Sequence, residues 1–162
     1  MSSGRLIPKC LGEGGRELRY PEEFIGPMRE ELTCLGVQEL RSSTDVDDIL
    51  VKTSDKGVVM IVVNSMCGCA AGRARPGVAL ALKHFTLPAK VATVFAGGDI
   101  EATARVREYL KDYPPSSPSV ALFRGGKPVF MMHRYQIENC EADEIAGSLK
   151  KAFDEHCISQ VA

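Results

Sequence analysis

The chain has 162 residues, which is enough for one domain whose hydrophobic core needs no disulfide bonds for stability. Its 20 Lys and Arg residues nearly balance its 21 Asp and Glu residues, so the net charge of −1 gives no reason to expect a nucleic acid or an anionic membrane surface as partner. No segment approaches the roughly 18 consecutive apolar residues of a membrane span, and the N-terminal residues lack the apolar core of an export signal. We therefore expect a cytoplasmic protein with no membrane partner.

The first half of the chain predicts helices ahead of a central strand. Residues 1–20 are Gly-rich and charged without periodicity, which predicts a flexible extension before one domain over 21–162. The elements predicted next are a helix from Pro21 or Pro27 to Leu35, a short strand over 37–40, and a short helix to Leu50 capped by Thr44 or Asp45. Residues 57–63, GVVMIVV, form a continuous apolar run, which is typical of a strand buried on both faces of a sheet.

The second half of the chain continues with alternating strands and helices. The predicted elements are a helix from the cysteine motif to about 84 with a kink at Pro76, a strand over 90–95, a helix to Tyr109 capped by Asp99, a hairpin of strands 119–123 and 128–132, and a helix over 138–156. This order predicts an α/β protein with a mixed central sheet and helices on both faces.

Cys67, Gly68 and Cys69 lie between the predicted central strand and a helix N-terminus. Partial positive charge and free N–H groups at such a terminus stabilise a thiolate, so Cys67 is the predicted nucleophile. Cys69 is predicted to resolve a mixed disulfide on Cys67. Gly68 removes steric limits on the backbone of this short ring. Because a ring with one intervening residue is strained, we expect a pair less strongly reducing than a dithiol with two.

Other roles for the cysteines stay open. The pair could be two buried structural cysteines or two ligands of a soft metal ion such as Cu(I) or zinc. No second CxC or CxxC motif completes a zinc site, which favours catalysis. Three further cysteines, Cys10, Cys34 and Cys140, are interpreted as incidental. Cys157 lies near the C-terminus and could reach the active site or a second subunit.

Two features outside the motif are candidates for substrate binding. A cis proline at Pro118 could present backbone groups to an extended substrate beside the thiol, although the proline could also simply follow the end of a helix. Arg73 and Arg75 follow the cysteines and could bind an anionic thiol, the alternative being a solvated helix face.

Together these residues resemble the bacilliredoxins, a family of thioredoxin-like bacterial proteins. The resemblance runs from about residue 27 to residue 157. The segments that carry it are 62–72 (VVNSMCGCAAG), 74–76 (ARP), 93–97 (TVFAG), 114–119 (PPSSPS), 133–134 (HR) and 152–157 (AFDEHC).

The resemblance implies a thioredoxin-like three-layer sandwich and a thiol–disulfide oxidoreductase with no bound cofactor. Its CGC motif would remove bacillithiol, the thiol co-substrate, from mixed disulfides on cytosolic proteins. Cys67 would be the attacking thiol, Cys69 its partner, Pro118 the cis proline and Arg75 the residue that binds the carboxylates of bacillithiol. A general disulfide isomerase or reductase and a metal-binding carrier are the alternatives, and a homodimer is left open.

Overall fold

The computed structural model describes residues 19–53 and 57–157. The predicted extension, 1–20, therefore lies outside the described residues except for its last two. The amide of Tyr20 donates to the carbonyl oxygen of Gly97 at 2.9 Å, so contacts with the domain already begin inside the predicted extension.

The described residues form α-helices, β-strands and one π-helical turn in an alternating order. They are α1 (Glu22–Thr33), β1 (Gln38–Glu39), α2 (Ser43–Lys52), β2 (Val58–Asn64), the π turn (Ala70–Ala74), α3 (Arg75–Ala81), β3 (Lys90–Phe95), α4 (Ile100–Tyr109), β4 (Ser119–Arg124), β5 (Lys127–Met132), α5 (Arg134–Glu138) and α6 (Ala142–His156).

The five strands form one mixed sheet in the order β1-β3-β2-β4-β5. The first three run parallel, while β4 is antiparallel to both β2 and β5. All seven residues of β2 are buried, as the apolar run predicts. Alternate side chains of β2 enter two separate cores: Met60 and Val62 pack with α1, α3 and α6, whereas Ile61 and Val63 pack with α2 and α4. This confirms the predicted three-layer α/β sandwich.

Two predicted helix caps differ from the structure. Ser42, and neither Thr44 nor Asp45, caps α2: its hydroxyl accepts from the amide of Asp45 at 3.1 Å, and the Asp45 carboxylate accepts from the amide of Ser42 in return. Asp99 precedes α4 as predicted but its side chain does not cap the helix, because its carboxylate accepts two hydrogen bonds at 2.9 Å from the buried guanidinium of Arg29.

The C-terminal half differs more. The hairpin turns on Gly125 and Gly126 alone, both at positive φ, so its strands are longer than predicted. The helix predicted over 138–156 is confirmed from Ala142 to its end as α6, whereas the short helix α5, which ends at Glu138, was not predicted. Separate capping boxes begin the two helices at His133 and at Glu141. Helix α5 contributes to the site below.

Candidate active site

Cys67, Gly68 and Cys69 lie just beyond the C-terminal end of β2, the central strand. Both cysteines are free and partly exposed, and Gly68 is exposed. Helical backbone begins at Gly68 and leads through the π turn into α3, so Cys67 lies at the helix N-terminus as predicted. The sheet thus presents Cys67 to solvent at an edge where α/β folds commonly bind ligands.

Hydrogen bonds stabilise the thiolate form of Cys67. Partial burial alone would raise the pKa of this thiol. The hydroxyl of Ser65 and the amides of Ala70 and Cys69 outweigh burial, with help from the charge of Arg134, and hold the pKa of the Cys67 thiol below its ordinary value. The amide of Cys67 also donates to the Ser65 hydroxyl oxygen at 3.1 Å, which fixes that hydroxyl beside the sulfur. No pattern in the sequence assigned a role to Ser65.

A buried network holds the loop that carries Ser65. The Oδ1 atom of Asn64 accepts from the amide of Ser65 at 2.8 Å. Nη1 of Arg75 donates to that same Oδ1 and to the carbonyl oxygen of Ser65, both at 2.9 Å. On the other side, Nε of Arg75 donates to Glu31 of α1 at 2.9 Å. The guanidinium of Arg75 therefore connects the loop to α1 through hydrogen bonds.

This geometry argues against the predicted ligand role of Arg75. The residue is only 3% exposed, and its hydrogen bonds are made to the protein interior and to Glu31. The cause is the π turn before it, in which the amide of Arg75 donates to the carbonyl of Ala70, five residues back. This wider turn directs Arg75 into the core. The Nη1 atom of Arg73 is already bound, because it donates to the carbonyl oxygen of Cys140 at 2.5 Å and to Glu141 at 3.0 Å.

The proline predicted to be cis lies beside the same loop. The Ser117–Pro118 peptide bond is cis, and Pro118 is buried. In the antiparallel pairing of β2 with β4, Val63 lies opposite Ser119, so Pro118 falls at the end of β2 from which the cysteine loop departs. The segment before β4 and the cysteine loop thus flank the same edge of the sheet.

Arg134 is a second residue of this site to which no sequence pattern assigned a role. It is the first residue of α5, and its Nη1 donates to the carbonyl oxygen of Ser117 at 3.3 Å, next to the cis proline. The charge of Cys67 is the main cause that raises the pKa of the Arg134 guanidinium above its ordinary value. The only signal in the sequence was its place in the segment 133–134, to which the resemblance gave no role.

Two of the other described cysteines, Cys157 and Cys34, lie apart from the motif. The carbonyl of His156 accepts a hydrogen bond from Arg124. In the sheet Arg124 lies opposite Val58, which begins β2, whereas Cys67 follows the other end of that strand. Cys157 follows His156 directly and packs against the core, so within one chain it does not reach the active site. Cys34 is exposed at the end of α1. Cys10 lies outside the described residues.

Two features of residues 19–53 and 57–157 bear on alternative functions. In that part of the chain no group of three or more His, Cys, Asp and Glu side chains is placed to hold a metal ion. None of the described helices is both long and apolar enough to cross a membrane.

Comparisons with known proteins identify the family. The sequence model of a family described as disulphide isomerase matches residues 20–157. A bacilliredoxin of Koribacter versatilis is 51% identical over 138 residues, covering 85% of this chain and 94% of the relative. A bacilliredoxin of Cytophaga hutchinsonii is 48% identical over 136 residues, covering 84% of this chain and 98% of the relative.

Solved structures support the fold. Fasciola hepatica thioredoxin is similar with a TM-score of 0.53 at 17% identity, covering 74% of this chain and 99% of the thioredoxin. A putative oxidoreductase with a thioredoxin fold gives a TM-score of 0.52 at 13% identity, covering 72% of this chain and 97% of that structure. With a thioredoxin-like fold and such close relatives, the chain belongs to the bacilliredoxin family and is a thiol–disulfide oxidoreductase.

Proposed function

We propose that this enzyme removes bacillithiol from mixed disulfides on cytoplasmic proteins, with Cys67 as nucleophile and Cys69 as resolving thiol. The observation that carries the proposal is the partly exposed thiol of Cys67, whose pKa is held down by donors from Ser65, Cys69 and Ala70. A thiolate is the reactive species in disulfide exchange, so this cysteine is the one prepared for attack.

The reaction consists of two successive thiol–disulfide exchanges. The Cys67 thiolate attacks the bacillithiol sulfur of the mixed disulfide; the new disulfide joins Cys67 to bacillithiol, and the substrate protein leaves as a thiolate. The Cys69 thiolate then attacks the Cys67 sulfur and releases bacillithiol as a thiolate, leaving a Cys67–Cys69 disulfide. Two molecules of a free low-molecular-weight thiol, which become its disulfide, or one dithiol reductase must supply two electrons to reduce that disulfide. No resident cofactor is required, because the electrons move among sulfur atoms alone.

The surroundings of the motif suit a protein substrate. Gly68 is exposed and carries no side chain, which leaves access to the sulfur of Cys67 open. Pro118 lies at the neighbouring strand start, where the adjoining backbone could pair with an extended substrate segment. Relatives that share about half of the sequence carry the name bacilliredoxin, which supports bacillithiol as the thiol.

Intact mass spectrometry tests this mechanism. Reduced protein and its Cys69→Ala and Cys67→Ala variants are exposed to a bacillithiol-modified protein and, in parallel, to a glutathione-modified one. We expect Cys69→Ala to retain one bacillithiol on Cys67, Cys67→Ala to retain none, and glutathione to transfer poorly. Cys34→Ala is the control, because it removes an exposed cysteine outside the motif and should behave like the wild type. Absence of an adduct on Cys67 from either substrate would refute the proposal.

A general disulfide isomerase is the second candidate, favoured by the description of the family that matches residues 20–157. An isomerase would refold a scrambled disulfide protein without added bacillithiol. If the enzyme refolded such a protein faster than it removed bacillithiol from a mixed disulfide, isomerisation would be its main activity.

A further inference from the structure

We propose that Arg134 forms an anion-binding subsite beside Cys67, which holds a carboxylate of the low-molecular-weight thiol while the sulfur atoms exchange. The inference deepens the proposed function and rests on it for the biological ligand. The chemical class is a thiol that carries a carboxylate, which bacillithiol and glutathione both represent.

The position of Arg134 is fixed by two elements that flank the nucleophile. Helix α5 packs against the π turn that follows the cysteines. The amide of Arg134 donates to the hydroxyl of Ser116 at 3.4 Å, and Nη1 donates to the carbonyl oxygen of Ser117 at 3.3 Å. The guanidinium is thus attached to the loop that ends at Pro118, and its helix contacts the turn that follows the cysteine motif.

Arg134 also keeps donors available for a ligand. A guanidinium has five N–H donors, and Arg134 uses Nη1 on Ser117 and Nε on Glu138 at 3.2 Å. Within the described part of the chain, Nη2 has no hydrogen-bond partner. The side chain is 44% exposed, as is Glu138, and an exposed pair of this kind is weak enough for a carboxylate to displace or share.

The contrast with Arg75 decides which arginine is suited to a ligand. The side chain of Arg75 is 2% exposed and its hydrogen bonds hold the loop, whereas the side chain of Arg134 is 44% exposed. The charge of Cys67 raises the pKa of the Arg134 guanidinium, and the charge of Arg134 helps to lower the pKa of the Cys67 thiol, which agrees with the place of Arg134 beside the site. Arginine suits the role because its planar fork can hold both oxygens of a carboxylate.

Alkylation of Cys67 with two reagents tests the subsite without bacillithiol. Iodoacetate carries a carboxylate and iodoacetamide is neutral, yet both attack the same thiolate. Their rate ratio therefore cancels any change in the thiolate population. We expect Arg134→Gln to lower the iodoacetate to iodoacetamide ratio by roughly threefold to tenfold, and Arg134→Lys to lower it less. Rates are followed at Cys67 by peptide mass analysis.

Arg73→Gln is the matched control, since it removes an equal charge four residues after Cys69 from a side chain bound to Glu141 and Cys140. We expect it to leave the ratio unchanged. An unchanged ratio in Arg134→Gln, or an equal fall in both variants, would overturn the subsite.

Exchange with modified peptides separates this inference from the proposed function. One peptide carries bacillithiol, one glutathione and one the neutral thiol 2-mercaptoethanol. Arg134→Gln should slow the first two relative to the third by a similar factor. Failure of the wild type to act on the bacillithiol peptide would refute the proposed function, while the alkylation ratio would still decide whether Arg134 binds anions. Equal slowing of all three peptides would overturn the subsite.

Discussion

Replacing Ser65 by Ala should change the pH dependence of Cys67 in a characteristic way. The Ser65 hydroxyl is the leading donor that lowers the pKa of the Cys67 thiol, and it is held in place by the amide of Cys67 at 3.1 Å. Removing the hydroxyl takes away one hydrogen bond that stabilises the thiolate. The neutral thiol loses no comparable stabilisation. The pKa of Cys67 must therefore rise.

The expected size follows from the strength of such a bond. A hydrogen bond to a charged group contributes about 1.5 kcal/mol at the lower end of its range, which corresponds to about a tenfold change in the thiolate population below the pKa. The more basic thiolate is the better nucleophile, by about threefold for a Brønsted coefficient near 0.45. The net result is a loss of about threefold in rate at low pH and a gain of about threefold at high pH.

The assay is the rate of iodoacetamide alkylation at Cys67 from pH 5 to pH 10, with wild type and variant measured together. The two profiles should cross. Ser65→Thr restores a hydroxyl and should return most of the low-pH rate. Thr93→Val is the control: it removes another buried hydroxyl, which donates to the carbonyl of Val62 at 2.8 Å, and should leave the profile in place. A uniform loss at every pH, or superimposable profiles, would refute the role of Ser65.

Three further outcomes are expected. Arg75→Gln should slow the exchange of anionic and neutral mixed disulfides equally, because the hydrogen bonds of Arg75 hold the cysteine loop and bind no ligand. The same change should lower the free energy of unfolding by about 2 kcal/mol. Gly77→Ala should lower the free energy of unfolding in urea by about 1–3 kcal/mol, since the new Cβ would lie 2.6 Å from Cγ2 of Ile145. Gly147→Ala should raise it by about 0.5–1 kcal/mol, because nothing lies within 4 Å of the new Cβ. Burial raises the pKa of the Cys157 thiol from 9.0 to about 11, so as the pH rises the unfolded chain loses this proton before the folded protein does. The free energy of unfolding should therefore fall between those two pH values, and it should fall less in Cys157→Ala.

Each of these outcomes can fail independently. A selective loss of anionic substrates in Arg75→Gln would restore its predicted ligand role. Equal stabilities for the two glycine variants would show that α3 and α6 are packed less tightly than the structure indicates. Identical pH dependence of stability with and without Cys157 would show that the thiol is solvated.

Local patterns in the sequence were sufficient for the fold and the place of the motif. Residues 57–63 predicted a strand buried on both faces because continuous apolar runs need two apolar layers, and the structure has them. The cysteines were placed after this strand from chain order alone. The missed α5 has no such local signal, since its cap is a His133 and Gln136 pair that differs from the common Ser or Thr box.

The buried position of Arg75 could not be predicted from the sequence, because helical phase cannot be counted through a π turn. A π turn holds about one residue more than an α turn, which rotates every following residue by about 100° from its α-helical position. Pro76 lacks an N–H group, so it contributes no hydrogen bond with which to restore the α-helical pattern directly after the turn. The interior position of Arg75 depends on this phase and on Asn64 and Glu31, which come from two other elements.

The site therefore uses two arginines for different purposes. Arg75 lies beneath the loop and fixes the carbonyl of Ser65, and with it the hydroxyl that stabilises the thiolate. Its effect reaches every substrate equally, because it acts on the nucleophile. Arg134 is exposed beside the loop that ends at Pro118, so in the proposed subsite its effect depends on the charge of the incoming thiol. Reactivity and selectivity can thus vary separately among chains with the same CGC motif: substitutions around Ser65 change the first, and substitutions at the start of α5 change the second.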